Sequence, residues 1–413
     1  MRQRPTNSPR LPELIQGGMG VGVSSWRLAR AVAMAGQRLG ANVLGVVSGT
    51  GLPVILVDRL QAGDKDVARA LNAFDPEAAS EIMDQYAVRD PSKARGRRKL
   101  PPKPEVLVNG SKATKSKMTK LAVASAFVEV WLAKEGHSGP IGINVLEKVQ
   151  LMHLPVLLGA MMAGVDYVLV GAGIPHQVPA VLASFARNEP ASYRMDVEGS
   201  SEKVTLKLDP REFVPAGKCL KRPKFLLIAS HHALAMRLAA TVEVDGFVME
   251  GPSAGGHNAP ARGKTLADDG QPIYGERDRP DLEKLAEIGK PFWLAGSYGS
   301  PGRLAEAKCL GATGVQGIGV RAVQRIGAAR RHQARVEAAN RYRLARREDE
   351  RDRIALGLPF QVVQLEGSLS ELSVYENRQR ICNIGHLTQA YQKDESEGGG
   401  VGFRCPRKQS TPM

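Results

Sequence analysis

Gly246-Phe-Val-Met-Glu-Gly-Pro-Ser-Ala-Gly-Gly-His-Asn-Ala-Pro260 is a short apolar run that ends in glycines and one histidine. Gly246-Phe-Val-Met249 lacks polar alternation, as a strand buried on both faces does. Glycines let a backbone approach a ligand closely. His257 is of the one residue type whose unperturbed pKa suits proton transfer near neutral pH. Alone, the stretch reads equally well as a glycine turn with an exposed histidine. The rest of the chain shifts that balance.

Seven further runs share the pattern: Leu14-Ile-Gln16, Val43-Leu-Gly-Val-Val47, Ile141-Gly-Ile-Asn144, Tyr167-Val-Leu-Val170, Phe225-Leu-Leu-Ile228, Phe292-Trp-Leu-Ala295 and Gly314-Val-Gln316. Most end in glycine or another small residue. Helical patterns lie between several of them. Ser24-Ser25 is placed to cap Trp26–Ala35, and further helices are expected over 121–134, 155–163, 177–186, 233–240, 281–288 and 301–309. Eight strands alternating with helices predict an α/β fold, a (β/α)8 barrel of the TIM type. A doubly wound sheet is the alternative. In both, ligands bind at the carboxyl ends of the strands, where the glycines and His257 fall.

The 413 residues carry a net charge of +15, and 43% are apolar, enough for a sizeable core. The charge is local. Residues 92–120 hold ten Lys/Arg against one acid, and residues 321–353 hold eleven Arg against five acids. The remainder is neutral on balance, a weak basis for a nucleic-acid groove. Neither segment interleaves aromatic residues for base stacking; Tyr342 is alone. No apolar run long enough to span a membrane appears, and residues 1–10 lack the apolar core of a secretory signal. Cys219, Cys309, Cys382 and Cys405 are far apart, which argues against a zinc site or a disulfide framework. A cytoplasmic protein with neither membrane nor nucleic-acid partners is expected.

With the strand ends in view, the chain resembles the nitronate monooxygenase (2-nitropropane dioxygenase-like) family of flavin enzymes. The matching stretches are Ile15-Gln-Gly-Gly-Met-Gly-Val-Gly-Val-Ser24, Gly45-Val-Val-Ser-Gly-Thr50, Gly142-Ile-Asn-Val145, Gly171-Ala-Gly-Ile-Pro175, Glu250–His257 and Ala295-Gly-Ser-Tyr-Gly-Ser-Pro301. The resemblance implies an FMN-binding barrel that oxidises alkyl nitronates or nitroalkanes with O2. It assigns the flavin ring to Gly17, Gly18, Met19 and Asn144, and the lining of the cofactor pocket to Gly173, Gly255 and Gly256. The FMN phosphate falls to Gly296 and Ser297, and His257 is the active-site histidine, which takes the α-proton of a neutral nitroalkane as general base or orients an anionic nitronate. The chemistry of these residue types agrees. An Asn amide suits the donor and acceptor edge of an isoalloxazine, and a glycine–serine turn before a helix suits a phosphate. Asn144 as a strand-end cap and Gly296–Gly299 as a plain loop are the bland readings. His231-His232 follow another strand and are weaker candidates.

The resemblance spans about residues 11–316 and resumes at about 358–406. Between them the chain turns arginine-rich. One codon choice for residues 317–327, read one base out of register, gives Gly-Ser-Ala-Ser-Ala-Leu-Cys-Asn-Glu-Ser-Gly, close to the missing family segment. A compensated frameshift, or a sequencing error, over about 317–357 is therefore expected, and an inactive family member is one consequence. The expected layout is a barrel over 11–330, with a basic surface excursion at about 90–120 and a polar insertion at about 188–222. An altered segment over 331–357 and a C-terminal extension over 358–413, packed on the barrel, complete it. The rival activity is that of an FMN-dependent enoyl-ACP reductase using NAD(P)H. A nucleic-acid binder is the reading from a different class.

Overall fold

The computed structural model describes residues 10–88, 99–201, 203–257, 259–263, 265–268, 272–317, 347–349, 360–363, 371–377 and 388–404. All eight apolar runs are strands: β1 (Leu14–Gln16), β2 (Val43–Ser48), β3 (Ile141–Leu146) and β4 (Tyr167–Gly171) in the first half. A hairpin, β5 (Ala191–Asp196) and β6 (Lys203–Leu208), intervenes. Then come β7 (Lys224–Ala229), β8 (Gly246–Glu250), the two-residue β9 (Gly256–His257), β10 (Phe292–Ala295) and β11 (Gly314–Gly317). The barrel runs β1-β2-β3-β4-β7-β8-β10-β11, every neighbouring pair parallel. It closes because β1 also pairs with β11, Leu14 opposite Val315. Closure excludes the doubly wound sheet; the fold is a (β/α)8 TIM barrel.

The helices follow the predicted spacing with shifted ends. α1 is Trp26–Arg38, and Ser25 holds its N-cap position without a side-chain capping bond. Instead the Trp26 amide donates to Glu129 Oε1 at 2.7 Å. The expected serine cap is thus replaced by a carboxylate more than a hundred residues away. α2 (Leu52–Gln61), α3 (Lys65–Phe74) and α4 (Pro76–Tyr86) were not foreseen. Asp64 and Asp75 cap the last two, each accepting backbone N–H groups of the first turn. α5 (Lys112–Ala133) begins inside the basic stretch read as a surface excursion. That stretch is therefore partly helix, its lysines on the first turns and its apolar residues buried farther on.

α6 (His153–Met162) is buried along its whole length. α7 (Val178–Ala186), α8 (His232–Thr241), α9 (Leu282–Glu287) and α10 (Pro301–Cys309) complete the outer ring. The polar insertion at 188–222 contains the hairpin: β5 alternates buried and exposed residues, as a strand with one wet face does.

Farther along, β12 (Arg347–Asp349) pairs with β13 (Phe360–Val363), which pairs with β9. α11 (Leu372–Asn377) follows, then the hairpin of β14 (Gln389–Gln392) and β15 (Val401–Arg404). Ala390 is buried in the main core, and Arg404 pairs with Glu198 beside the β5–β6 hairpin at 2.7 Å. Residues 318–346 and 350–359, most of the altered segment, lie outside the described residues.

Alternation along each strand sorts side chains into two cores. Ile143, Val145, Phe247, Met249 and Val315 face the helices. Ile15, Leu44, Val46, Tyr167, Leu169, Leu226, Ile228, Val248, Trp293 and Ala295 form a separate interior cluster. Large residues fill its base. Trp293 is fully buried there, and its Nε1 donates to the Pro12 carbonyl at 2.6 Å.

Candidate active site

Parallel strands put all eight carboxyl ends on one rim, so the residues singled out in the sequence share one end of the barrel. Gly17, Gly18 and Met19 follow β1. The Gly17 N–H donates to the Gly317 carbonyl at 3.0 Å, tying the first strand's exit to the last. Its own carbonyl accepts from Gln16 Nε2 at 2.7 Å and from Ser24 Oγ at 3.2 Å. Gly18 is buried, and a Cβ there would strike Val46 Cγ1 and come within 3.0 Å of Asn144 Cβ. Only glycine fits, because the turn runs across the inner faces of β2 and β3.

Asn144 lies on β3, opposite Ser48 and Leu169. It is 1% exposed, and neither its Oδ1 nor its Nδ2 has a hydrogen-bond partner among the described residues. A strand-end cap would use at least one of them, so that bland reading fails. Gln316 on β11 repeats the observation: it is buried, and its Oε1 is unpartnered. Both occupy the interior parity of their strands, beside the apolar cluster. Buried amides are ordinarily satisfied, and an unpartnered Asn144 amide and an unpartnered Gln316 oxygen on one rim, among the described residues, mark a place for a polar ligand.

Gly173, at φ +154°, follows β4 and lies against Glu147, whose carboxylate occupies the space a side chain would need. Glu147 Oε1 accepts from Gln150 Nε2 at 2.8 Å and from Tyr193 Oη at 3.3 Å. Burial holds the Glu147 carboxyl above the usual carboxylate range. Gly173 therefore packs on a polar bracket that joins β3 to the hairpin insertion. His153 sits in the same region, fully buried, and desolvation lowers its pKa to about 4.

Gly296, at φ +92°, and Ser297, at φ +62°, form a left-handed turn after β10, just before α10. The α-hydrogen side of Gly296 faces the Ala254 N and Ser253 Oγ, 3.0 and 3.1 Å from a built Cβ. A cavity of about 520 Å³ opens between this turn and the β8 loop, lined by Ser253, Ser297 and Tyr298 with Arg279 and Arg303. Arg303 is engaged by Glu306 at 2.7 Å.

Gly255 is exposed, with open space on its hydrogen side, so it makes no close backbone approach. Gly256 and His257 pair through their backbones with Gln361 and Phe360. The His257 side chain lies outside what is described. His231 and His232 stack at 4.0 Å and are both occupied locally. His231 Nδ1 accepts from the Ala233 N–H at 3.1 Å, and His232 Nδ1 from the Asp281 N–H at 3.0 Å. Burial lowers the His231 pKa. Helix-end capping accounts for the pair.

Two groups were not singled out from the sequence. Gln316 is one; it directly precedes the altered segment at about 317, where the family pattern breaks off. Glu250 is the other. It ends β8, in register with Ala295 of the interior cluster, and desolvation pushes its carboxyl up to about 7. A signal existed: an acid at the end of an otherwise apolar strand run.

No family model and no curated protein matches the chain. Among solved structures it is similar to nitroalkane oxidase from Streptomyces ansochromogenes, at 15% identity and a TM-score of 0.42, over 86% of this chain and 77% of that one. It is similar to a FabK mutant from Thermotoga maritima, at 15% identity and a TM-score of 0.35, over 74% of this chain and 60% of that one. A third is the monotopic membrane protein (S)-mandelate dehydrogenase, at 13% identity and a TM-score of 0.28, over 74% and 67%. Likenesses this distant add nothing to what the strand topology already establishes. No helix among the described residues is long and apolar enough to cross a membrane.

Proposed function

We propose that this chain is an FMN-dependent oxidoreductase that oxidises alkyl nitronates with O2. The observation that carries the reading is Asn144, a buried amide at the barrel rim with both polar atoms unpartnered among the described residues. An isoalloxazine edge offers donors and acceptors together, which is what such an amide lacks. Gly18 leaves the backbone of the β1 turn close against Asn144, where a flat ring could lie. The left-handed Gly296–Ser297 turn precedes the N-terminus of α10, whose free N–H groups suit a phosphate. Arg279, on the border of the adjoining cavity, adds positive charge there.

When bound, the flavin supplies the redox chemistry, taking electrons from substrate and passing them to O2. The chain supplies the rest. Asn144 and Gln316 orient polar edges, and the apolar interior beneath them keeps water away. The family resemblance makes His257 the base or the group that orients an anionic nitronate.

The visible spectrum of the purified protein, with FMN added and the excess removed, tests the cofactor. A retained flavin spectrum, followed by nitronate turnover that falls in His257→Ala, supports the reading. A colourless protein refutes it. Rapid reduction of the flavin by NADH without nitronate would favour the enoyl reductase activity instead.

A further inference from the structure

A second hollow lies outside the barrel, between the carboxyl ends of β2 and β3 and helices α2, α5 and α6. Val145 of β3 faces the helices, whereas its neighbour Asn144 faces the barrel interior. The hollow is therefore on the opposite face of β3 from the mouth. Its walls are aliphatic: Val54 of α2, Met118 of α5, Val145, and Val149, Met152 and Val156 at the start of α6. Pro101, Pro102 and Pro104, from the stretch before α5, form a further wall. A proline has no N–H, so those positions offer no backbone donor.

Thr50 and His153 are the only polar side chains on the lining among the described residues. His153 is 2% exposed. Its Nε2 lies 2.9 Å from the Leu146 carbonyl, which can only accept, so Nε2 carries the proton. Nδ1 is then a bare acceptor, and it has no partner among the described residues. Desolvation lowers the pKa of the ring to about 4, which keeps it neutral. The Tyr193 ring meets the imidazole edge-on at 4.8 Å, so the ring is held in place on two sides. A buried acceptor is ordinarily satisfied. The free volume, about 30 Å³, has room for about two water-sized groups. A bound water needs several polar partners, and this lining sets two polar side chains in aliphatic surroundings. It suits a molecule with an apolar body and one polar head.

We propose that this hollow is a binding site for a small aliphatic molecule that carries a hydroxyl group. The ligand O–H donates to His153 Nδ1, and its carbon chain packs on Val145, Val149 and Val156 in place of water. A hydroxyl both donates and accepts, which matches a lining with one bare acceptor and one hydroxyl, that of Thr50. An ammonium group would bring a charge that no carboxylate on the described lining offsets. A carboxylate ligand would set its lone pairs against that of Nδ1. The site stands apart from the flavin reading, because it lies behind β3 and shares none of the residues assigned to the cofactor.

The test is 15N NMR of the full-length protein with labelled histidine, titrated with 1-propanol and with ethyl methyl ether, an isomer that has no donor. The His153 signals are those lost in His153→Gln, from a ring that stays neutral at pH 5 in the wild type. The expected result is a saturable movement of the Nδ1 signal toward that of a hydrogen-bonded nitrogen with 1-propanol. The ether leaves that signal in place and displaces the alcohol only at about tenfold higher concentration. Val149→Phe, which fills the hollow, abolishes the response to alcohol while Nδ1 keeps the signal of a bare acceptor. An Nδ1 already hydrogen-bonded in the protein without alcohol overturns the proposal, since water then holds the site. A response that does not saturate, or equal affinity for the ether, also overturns it. Should Val149→Phe fail to fold, the comparison of alcohol with ether on the wild type decides by itself.

Discussion

The two ends of the barrel are built from opposite chemistry. At the base, Leu44, Tyr167, Leu226 and Trp293 fill the interior with large side chains, and the one indole N–H among them is satisfied by Pro12. Burial pushes the Tyr167 hydroxyl up to about 12, so it stays neutral. At the mouth, the interior positions hold Asn144, Gln316 and Glu250 beside small residues such as Ala295; the Asn144 amide and the Gln316 Oε1 find no partner among the described residues, and desolvation raises the Glu250 carboxyl. The base is optimised for packing. The mouth keeps unfavourable polar burial, as sites that must receive a polar ligand do. The contrast teaches that stability and chemistry are separated along the barrel axis, by the height of a residue on its strand.

Substitutions at the two ends should therefore act in opposite directions. The largest effect is expected at the base: Trp293→Ala removes a fully buried ring and strands the Pro12 carbonyl. A loss of about 3–5 kcal/mol in denaturant unfolding is expected. A loss below about 1 kcal/mol would mean that the base is not the packed end.

At the mouth the sign reverses. Desolvation by burial raises the Glu250 carboxyl in the folded state from its ordinary 4.5 to about 7. The folded state then holds a proton that the unfolded state has lost between those values. Stability accordingly falls as pH rises through that window. Glu250→Gln should stabilise the protein at pH 8 by up to about 3 kcal/mol and have little effect at pH 4. Thermal melts of both proteins at the two pH values check it, and a gain independent of pH would break the comparison.

Asn144→Leu keeps the shape and deletes the unpartnered amide. It should stabilise the cofactor-free protein by about 1–3 kcal/mol and weaken FMN binding at the same time. Unfolding and flavin titration on one preparation measure both. The smallest effect belongs outside the barrel: Arg303→Ala removes an exposed pair with Glu306 on α10 and should stay within about 0.5 kcal/mol.

Much of this was legible in the chain. A strand covered on both faces needs apolar residues at consecutive positions, so Tyr167–Val170 or Phe292–Ala295 announce themselves without a partner in view. The same runs end in small residues because the chain must turn sharply at the rim. Segments whose burial is set by distant neighbours were harder to read. The start of α5 looks like a basic loop because its first turns carry lysines, and it is a helix because Ser111 caps it and the later turns are buried against α6. Helix α1 reads as serine-capped, yet a carboxylate on α5 receives its first N–H. The β5–β6 hairpin was hidden because its polar face is exposed and its apolar face is covered by other parts of the chain.

The sequence alone determined the eight strands, their order and the small residues at their ends, because local burial periodicity is written residue by residue. It also marked Asn144 and the Gly296–Ser297 turn. Only the tertiary structure decided which parity of each strand faces inward. That choice depends on barrel closure and register, through pairs such as Leu14 with Val315 and Ala295 with Glu250. It is this choice that turns Asn144, Gln316 and Glu250 toward one mouth. No local pattern encodes it, since a shift of one residue in register would send the same side chains outward.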